Sequence, residues 1–139
     1  MGQASDIVRQ WVQLYNDGTP DTYGSDRFLQ IYRPDVDWEE MPSPMFPAGR
    51  KGNVGTLREA VKQSQAILRN RHAELIELVE EGNIVAWRGI WSATVSEDAP
   101  DGFPIKAGSR IQAKVASFTE VVDGMIVLQH EYISNPEVA

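Results

Sequence analysis

The stretch that decides the fold is Val115-Ala116-Ser117-Phe118-Thr119-Glu120-Val121-Val122-Asp123-Gly124-Met125-Ile126-Val127-Leu128-Gln129-His130-Glu131-Tyr132-Ile133. Two runs rich in β-branched and apolar residues flank Asp123-Gly124, a dipeptide that is typical of a two-residue hairpin turn. The pattern therefore predicts antiparallel strands over about 109–121 and over 125–133, with Val122 paired to Met125.

Side chains alternate across a strand, so this hairpin has two faces. With an unbroken ladder, Phe118 lies opposite Gln129, and Ala116 lies opposite Glu131. One face then holds Lys114, Ala116, Phe118, Val127, Gln129, Glu131 and Ile133, and the other holds Val115, Ser117, Val121, Ile126, Leu128, His130 and Tyr132. The first face combines apolar side chains with an isolated carboxylate, which suits a ligand pocket. Because neither face is plainly polar, we expect a second subunit to cover the other one, in a homodimer formed through the sheet.

The remainder of the chain predicts helices followed by strands. Apolar residues recur at helical spacing over 5–15, about 23–32 and 53–70, and strand patterns cover 36–41, 72–80 and 84–95. No internal repeat or long linker divides the 139 residues. We predict one α+β domain over residues 1–139 with a cone-like fold, in which three N-terminal helices pack on a curved mixed or antiparallel sheet and enclose a pocket.

The composition narrows the possible functions. The chain has no cysteine, which removes thiol chemistry and disulfides and favours a reducing compartment, so we expect a cytoplasmic protein. A net charge of -7 without a basic run disfavours nucleic acid, and no segment reaches the ~20 apolar residues of a membrane span. The two histidines lack metal-ligand spacing and there is no phosphate-binding glycine loop, so we predict no metal and no other cofactor.

Five motifs follow one another along almost the whole chain. They are the first helix with its Asn-Asp-Gly end (8–18), the first strand region (31–40), a helix start (52–60), a Gly-Pro-Gly loop (102–110) and the hairpin (122–127). Together they resemble the SnoaL-like polyketide cyclase group of the nuclear-transport-factor-2-like superfamily. The resemblance implies the cone-like fold and a cavity for a small apolar molecule.

The resemblance also suggests catalytic residues. In these cyclases a carboxylate on the last strand acts as acid and base in an aldol-type ring closure, and Glu131 occupies that position. We expect Glu131 to be catalytic, with help from Glu40 on the first strand. Two other interpretations remain open: Glu131 can form a cross-strand pair with Lys114, and Glu39 and Glu40 can be solvated acids near a loop.

Other chemistries of the superfamily each lack a residue. Epoxide hydrolases need an Arg-x-Asp, and the nearest match, residues 88–90, has no acid at the third place. Ketosteroid isomerases need a tyrosine and an aspartate where this chain has Trp11 and Ala116. His130 is adjacent to Glu131 and should therefore point to the opposite face.

The predicted substrate-binding residues are aromatic or carry an amide: Tyr15, Tyr32, Trp38, Trp87, Trp91, Phe118 and Gln129. The alternative is that the aromatic residues belong to the core. Two functions stay open. The first is a cofactor-independent cyclase, isomerase or dehydratase for a small hydrophobic carbonyl compound. The second is a non-catalytic module that binds a small hydrophobic ligand or serves as a dimeric scaffold.

Overall fold

One mixed sheet with helices on its concave face organises the chain. The computed structural model describes residues 2–16, 26–44, 46–97, 99, 101–102 and 105–139. The helices are α1 (Gln3–Asn16), α2 (Asp26–Leu29) and α3 (Val54–Ile67). The strands are β1 (Tyr32–Glu40), β2 (Arg50–Gly52), β3 (Leu68–Glu81), β4 (Ile84–Val95), β5 (Arg110–Val122), β6 (Met125–Ile133) and β7 (Glu137–Val138).

The sheet is curved and open, and its strands are mixed in direction. The strand order is β2-β1-β6-β5-β4-β3, and β7 pairs with β5. β1 runs parallel to β6, whereas the other neighbours are antiparallel. The hairpin turn is as the sequence predicts: Asp123 and Gly124 have φ values of 52° and 76°, and Val122 pairs with Met125.

The prediction of three N-terminal helices is wrong. α1 and α3 have 14 residues each, and the described part of α2 has four; residues 23–25 of the predicted second helix lie outside the described residues. The backbone amide of Ile126 donates to the carbonyl of Ile31, and Tyr32 already pairs with Ile126 in the sheet. Pairing with β6 therefore overrides the apolar spacing that predicted a helix up to residue 32. α3 follows β1 and β2 and does not precede the sheet.

The register of the β5–β6 hairpin differs from the unbroken ladder. Val121 pairs with Ile126, but Glu120 pairs with Leu128, so Val127 is an extra residue in β6. Such a β-bulge shifts all later pairs by one residue. Phe118 consequently pairs with His130, and Ser117 pairs with Glu131.

The predicted place of Phe118 in the pocket wall is therefore wrong. Its side chain is 50% exposed on the convex face of the sheet and packs edge-on against Tyr132, with ring centroids 6.3 Å apart. Thr119, which is buried, pairs with Gln129 in its place.

The N-terminus of α1 is held by a side chain of β3. Both the backbone amide and the hydroxyl of Ser5 donate to Glu80 Oε1 at 2.7 Å, and the amide of Gly2 donates to Oε2 at 3.1 Å. The carboxylate thus satisfies helix-end donors that lack an intrahelical acceptor. None of the helices within the described residues has the length and apolarity needed to cross a membrane.

Candidate active site

A cavity of about 100 Å³ lies between the helices and the concave face of the sheet. α1 contributes Trp11 and Tyr15, and α3 contributes residues within 60–64. Most of the lining is apolar or aromatic, and four of the described lining residues are charged: Glu40, Arg50, Arg71 and Glu131. An apolar cavity with a few convergent polar groups is typical of a small-molecule site.

Three of the charged residues stand in one row across the sheet. Glu131 on β6 pairs with Glu40 on β1, and Glu40 pairs with Arg50 on β2. Paired residues of neighbouring strands share a face, so the row points into the cavity. Arg50 Nη2 donates to both carboxylate oxygens of Glu40, at 3.0 and 3.1 Å, and its guanidinium lies 3.9 Å from the ring centroid of Phe46. Glu40 is therefore held as one half of an ion pair.

Glu131 is held by a different kind of contact. Trp38 Nε1 donates to Glu131 Oε1 at 3.0 Å. Burial raises the pKa of the Glu131 carboxyl from 4.5 to about 7, and the nearby charge of Glu40 acts in the same direction. The Trp38 hydrogen bond and the cations Arg50 and Arg71 oppose this rise. Near neutral pH both protonation states of Glu131 are populated, which suits a general acid or base.

The alternative pairing of Glu131 with Lys114 is wrong. Lys114 pairs with Ile90 in the sheet and its side chain is exposed on the convex face. His130 also lies away from the cavity, as its adjacency to Glu131 predicts, and its Nε2 is 3.3 Å from Asp37 Oδ1.

Apart from Phe118, the predicted binding residues divide into two groups. Tyr15, Trp87 and Trp91 line the cavity. Tyr32, Trp38 and Gln129 are buried, at 3%, 1% and 1% exposure, and are not among its lining residues. The second group supports the wall of the cavity without reaching its interior.

Hydrogen bonds connect these aromatic residues. Trp11 Nε1 donates to the Tyr32 hydroxyl at 2.7 Å, and this hydroxyl donates to Gln129 Oε1 at 2.5 Å. Trp91 Nε1 donates to the Tyr15 hydroxyl at 2.8 Å. Burial raises the pKa of both tyrosines, that of Tyr32 most strongly, so their hydroxyls stay neutral at neutral pH.

Gly89 lets β3 approach β4 closely between the two indoles of β4. A Cβ at this position would lie 1.9 Å from the carbonyl oxygen of Glu74 and 3.2 Å from the Trp87 ring. Only a residue without a side chain permits this approach of the two strands.

Sequence reasoning did not identify Arg50 and Arg71 as site residues, whereas Phe46, in the Pro-rich loop over 42–52, was a candidate to cover the mouth of a pocket. Arg50 reaches the cavity because it lies on β2, a three-residue strand that has no recognisable pattern in the sequence. Arg71 falls between the predicted helix over 53–70 and the predicted strand from 72, so no face could be assigned to it. Within the described residues, no group of three or more His, Cys, Asp or Glu side chains is placed to hold a metal ion.

Comparison with known proteins identifies the family of this chain. A family model described as a SnoaL-like domain matches residues 8–129. The chain belongs to the SnoaL-like domain family. None of the curated proteins matches this SnoaL-like domain significantly.

Solved structures resemble this SnoaL-like domain over most of its length. IdmH of Streptomyces antibioticus, a proposed polyketide cyclase, is 19% identical with a TM-score of 0.74, and the match covers 95% of this chain and 92% of IdmH. A proposed polyketide cyclase of Acidithiobacillus ferrooxidans is 22% identical with a TM-score of 0.68, over 95% and 88% of the two chains. An NTF2-like protein of Burkholderia thailandensis is 18% identical with a TM-score of 0.71, over 96% and 92%. At these identities the likeness shows the NTF2-like fold.

Proposed function

We propose that this SnoaL-like domain is a cofactor-independent enzyme that acts on a small hydrophobic carbonyl compound, with Glu131 as its general acid and base. The observation that carries the proposal is the position of Glu131: a carboxyl in an apolar cavity, held by Trp38 at 3.0 Å, with a pKa raised to about 7. Among the described cavity residues, Glu40 is the other carboxylate, and Arg50 binds both of its oxygens.

The proton transfer follows from this arrangement. Ionised Glu131 accepts a proton from the carbon next to a substrate carbonyl. The C–H electron pair becomes the C=C bond of an enolate, and the C=O π pair moves to the oxygen. In an isomerase, protonated Glu131 returns the proton to another carbon. In a cyclase, the enolate carbon attacks a second carbonyl of the substrate, a C–C bond forms, and the new alkoxide takes the proton from Glu131.

The structural similarity to two proposed polyketide cyclases supports the cyclase version. The aromatic wall formed by Tyr15, Trp87 and Trp91 supports a flat or unsaturated substrate. The absence of cysteine supports action in a reducing compartment, for which we propose the cytoplasm.

Proton exchange into solvent tests the proposal without knowledge of the substrate. Small cyclic ketones and 1,3-diketones are incubated with the protein in D₂O, and deuterium uptake at the α-carbon is followed by NMR. General acid–base catalysis typically contributes 10²–10⁴-fold, so Glu131→Gln should lose on the order of 10²-fold or more of the exchange rate. The matched control is Glu74→Gln, an exposed glutamate on β3, which should leave the rate unchanged. Equal exchange by wild type and Glu131→Gln would exclude the proposed role.

Binding of a small hydrophobic ligand without chemistry is the second candidate. It is favoured by the ion pair that holds Glu40, because this pair leaves Glu131 without a second free acid of the kind that many proton-transfer sites contain. A ligand that survives purification, combined with no exchange for any ketone, would favour this function over catalysis.

We also propose that the convex face of the sheet binds a second copy of the chain. Phe118 and Tyr132 are 50% and 44% exposed there, and Ile84 on β4 is 47% exposed. Exposed apolar groups that lie together on one face commonly mark an interface. On the same face, Arg88 and Glu77 form an ion pair at 2.8 Å. Because the face carries both signs of charge, two copies can meet there without repulsion between like charges.

A further inference from the structure

Arg71 is brought to the cavity by a break in the β3–β4 ladder. Arg69 pairs with Thr94 and His72 pairs with Ser92, so Asn70 and Arg71 together face the single residue Ala93. In an unbroken strand, alternation from buried Leu68 would place Asn70 inside and Arg71 outside. The extra residue instead lets Arg71 point inward, and bulges commonly redirect side chains in this way.

The backbone at this bulge adopts an uncommon conformation. Asn70 has a φ of 51°, in the left-handed region that asparagine tolerates better than most residues. Arg110 Nη1 donates to the Asn70 carbonyl, and Arg110 is itself anchored to Thr94 Oγ1 and Ser92 Oγ at 3.1 and 2.8 Å. The bulge is therefore a fixed feature of the strand pair, and it defines where Arg71 lies.

The surroundings of Arg71 are those of a partly desolvated cation. It lines the same cavity as Glu131, and its guanidinium carbon lies 5.3 Å from the ring centroid of Tyr15. Burial lowers the pKa of Arg71 to about 9, so the group remains a cation at neutral pH. A charge in an apolar cavity is costly, and such costs are commonly found where the charge serves function.

The charges of the described cavity residues show what this cation can do. Glu40 and Arg50 neutralise each other. When Glu131 takes a proton from a substrate, the negative charge leaves the carboxylate and appears on the substrate oxygen. Arg71 lines the same cavity as Glu131 and brings a positive charge to it. Fixed charges aimed at a developing oxyanion in a low-dielectric site are among the strongest sources of catalysis.

We propose that Arg71 binds the carbonyl oxygen of the substrate and stabilises the enolate oxygen that forms when Glu131 removes the α-proton. The inference rests on the proposed function and narrows its substrate class to enolisable ketones. The carbonyl oxygen of such a ketone lies on the β3 side of the cavity, and its acidic carbon lies next to β6.

A phenol tests this proposal because its oxygen is neutral or anionic without any reaction. 4-Nitrophenol is titrated by absorbance in the presence of wild type, Arg71→Met, Arg71→Lys and the control Arg69→Met, which changes an exposed arginine of the same strand. Hydrogen bonds to charged groups contribute about 1.5–3 kcal/mol, so wild type should bind the phenolate roughly ten- to a hundredfold more tightly than the phenol. Arg71→Met should lose this preference, Arg71→Lys should keep part of it, and Arg69→Met should keep it all.

The proposal is overturned if wild type shows no preference for the phenolate, or if Arg71→Met keeps the preference of wild type. Arg71→Lys retains the positive charge and guards against a folding defect in Arg71→Met. Glu131→Gln separates the two proposals because this variant should lose on the order of 10²-fold or more of the ketone exchange rate and still prefer the phenolate. If exchange depends on Glu131 while the phenolate preference ignores Arg71, only this inference fails. If the preference depends on Arg71 while exchange ignores Glu131, the proposed function fails.

Discussion

The indole nitrogen of Trp38 donates a hydrogen bond to Glu131 Oε1 at 3.0 Å, and Trp38 itself is 1% exposed. The donor sits on β1 and the acceptor on β6, which run parallel to each other. The carboxyl that we assign to catalysis is therefore oriented by a buried residue of a neighbouring strand. This contact lowers the pKa of Glu131, whereas burial and Glu40 raise it.

Removal of the Trp38 donor should raise the pKa of Glu131 further. In Trp38→Phe the ring remains but the N–H is lost, so the ionised form of Glu131 loses a hydrogen bond that stabilises it. The titration of the Glu131 carboxyl carbon by NMR measures the change. Trp11→Phe is the control, because the indole N–H of Trp11 donates to the Tyr32 hydroxyl and not to Glu131. An unchanged titration in Trp38→Phe would show that the hydrogen bond has no influence on the carboxyl.

Glu131→Gln should stabilise the fold above neutral pH. Below about pH 4.5 the carboxyl is protonated in both the folded and the unfolded chain. Between about 4.5 and 7 the unfolded chain ionises while the folded chain keeps its proton, so the free energy of unfolding falls as pH rises. Above about 7 this loss is complete, and it amounts to at most ~3 kcal/mol. Urea unfolding at pH 4 and pH 8 measures it, and a variant that is no more stable than wild type at pH 8 would refute the prediction.

Glu80 should have the opposite pH dependence. Hydrogen bonds from Ser5 lower the pKa of the Glu80 carboxyl, so its contribution to stability is present above the pKa of the unfolded chain and is lost as pH falls through the lower pKa of the folded chain. Glu80→Gln should lower the melting temperature at pH 7 and reduce the loss of stability in acid. The neighbouring exposed Glu81→Gln is the control. Parallel pH profiles for wild type and Glu80→Gln would contradict this account of the α1 N-terminus.

Charge on the convex face should separate the proposed dimer. Phe118→Lys places a cation in the middle of the exposed apolar residues and should convert a dimer to a monomer in sedimentation velocity. Gln63→Lys adds the same charge at an exposed position of α3 and should leave the dimer intact. A monomeric wild type, or a dimer that tolerates Phe118→Lys, would rule out this interface.

The sequence predicts the strands more accurately than their pairing. β4 and β6 begin and end where the residue patterns place them, and Asp123-Gly124 forms the predicted turn. The bulge at Val127 escaped prediction because an unbroken alternation was assumed. Ile126 and Val127 are adjacent and both buried, at 0% and 8% exposure, which strict alternation does not allow. Packing of both residues decides the register, and with it the place of Phe118.

The site was predictable only where local pattern determines orientation. The orientation of the Glu131 side chain toward the pocket follows from alternation along a long strand. The Glu40–Arg50 pair depends on contact between β1 and the three-residue β2, and the orientation of Arg71 depends on a bulge that Arg110 holds from another strand. Both are tertiary features, and neither has a periodic signal in the sequence.

The titration of Glu131 tests the central claim most directly. The carboxyl carbon of this residue is assigned by comparison with Glu131→Gln and followed by NMR from pH 3 to pH 9. The account predicts a midpoint near 7, because the carboxyl is buried in the cavity beside Glu40. A midpoint near 4.5, the ordinary value for a glutamate in water, would contradict it.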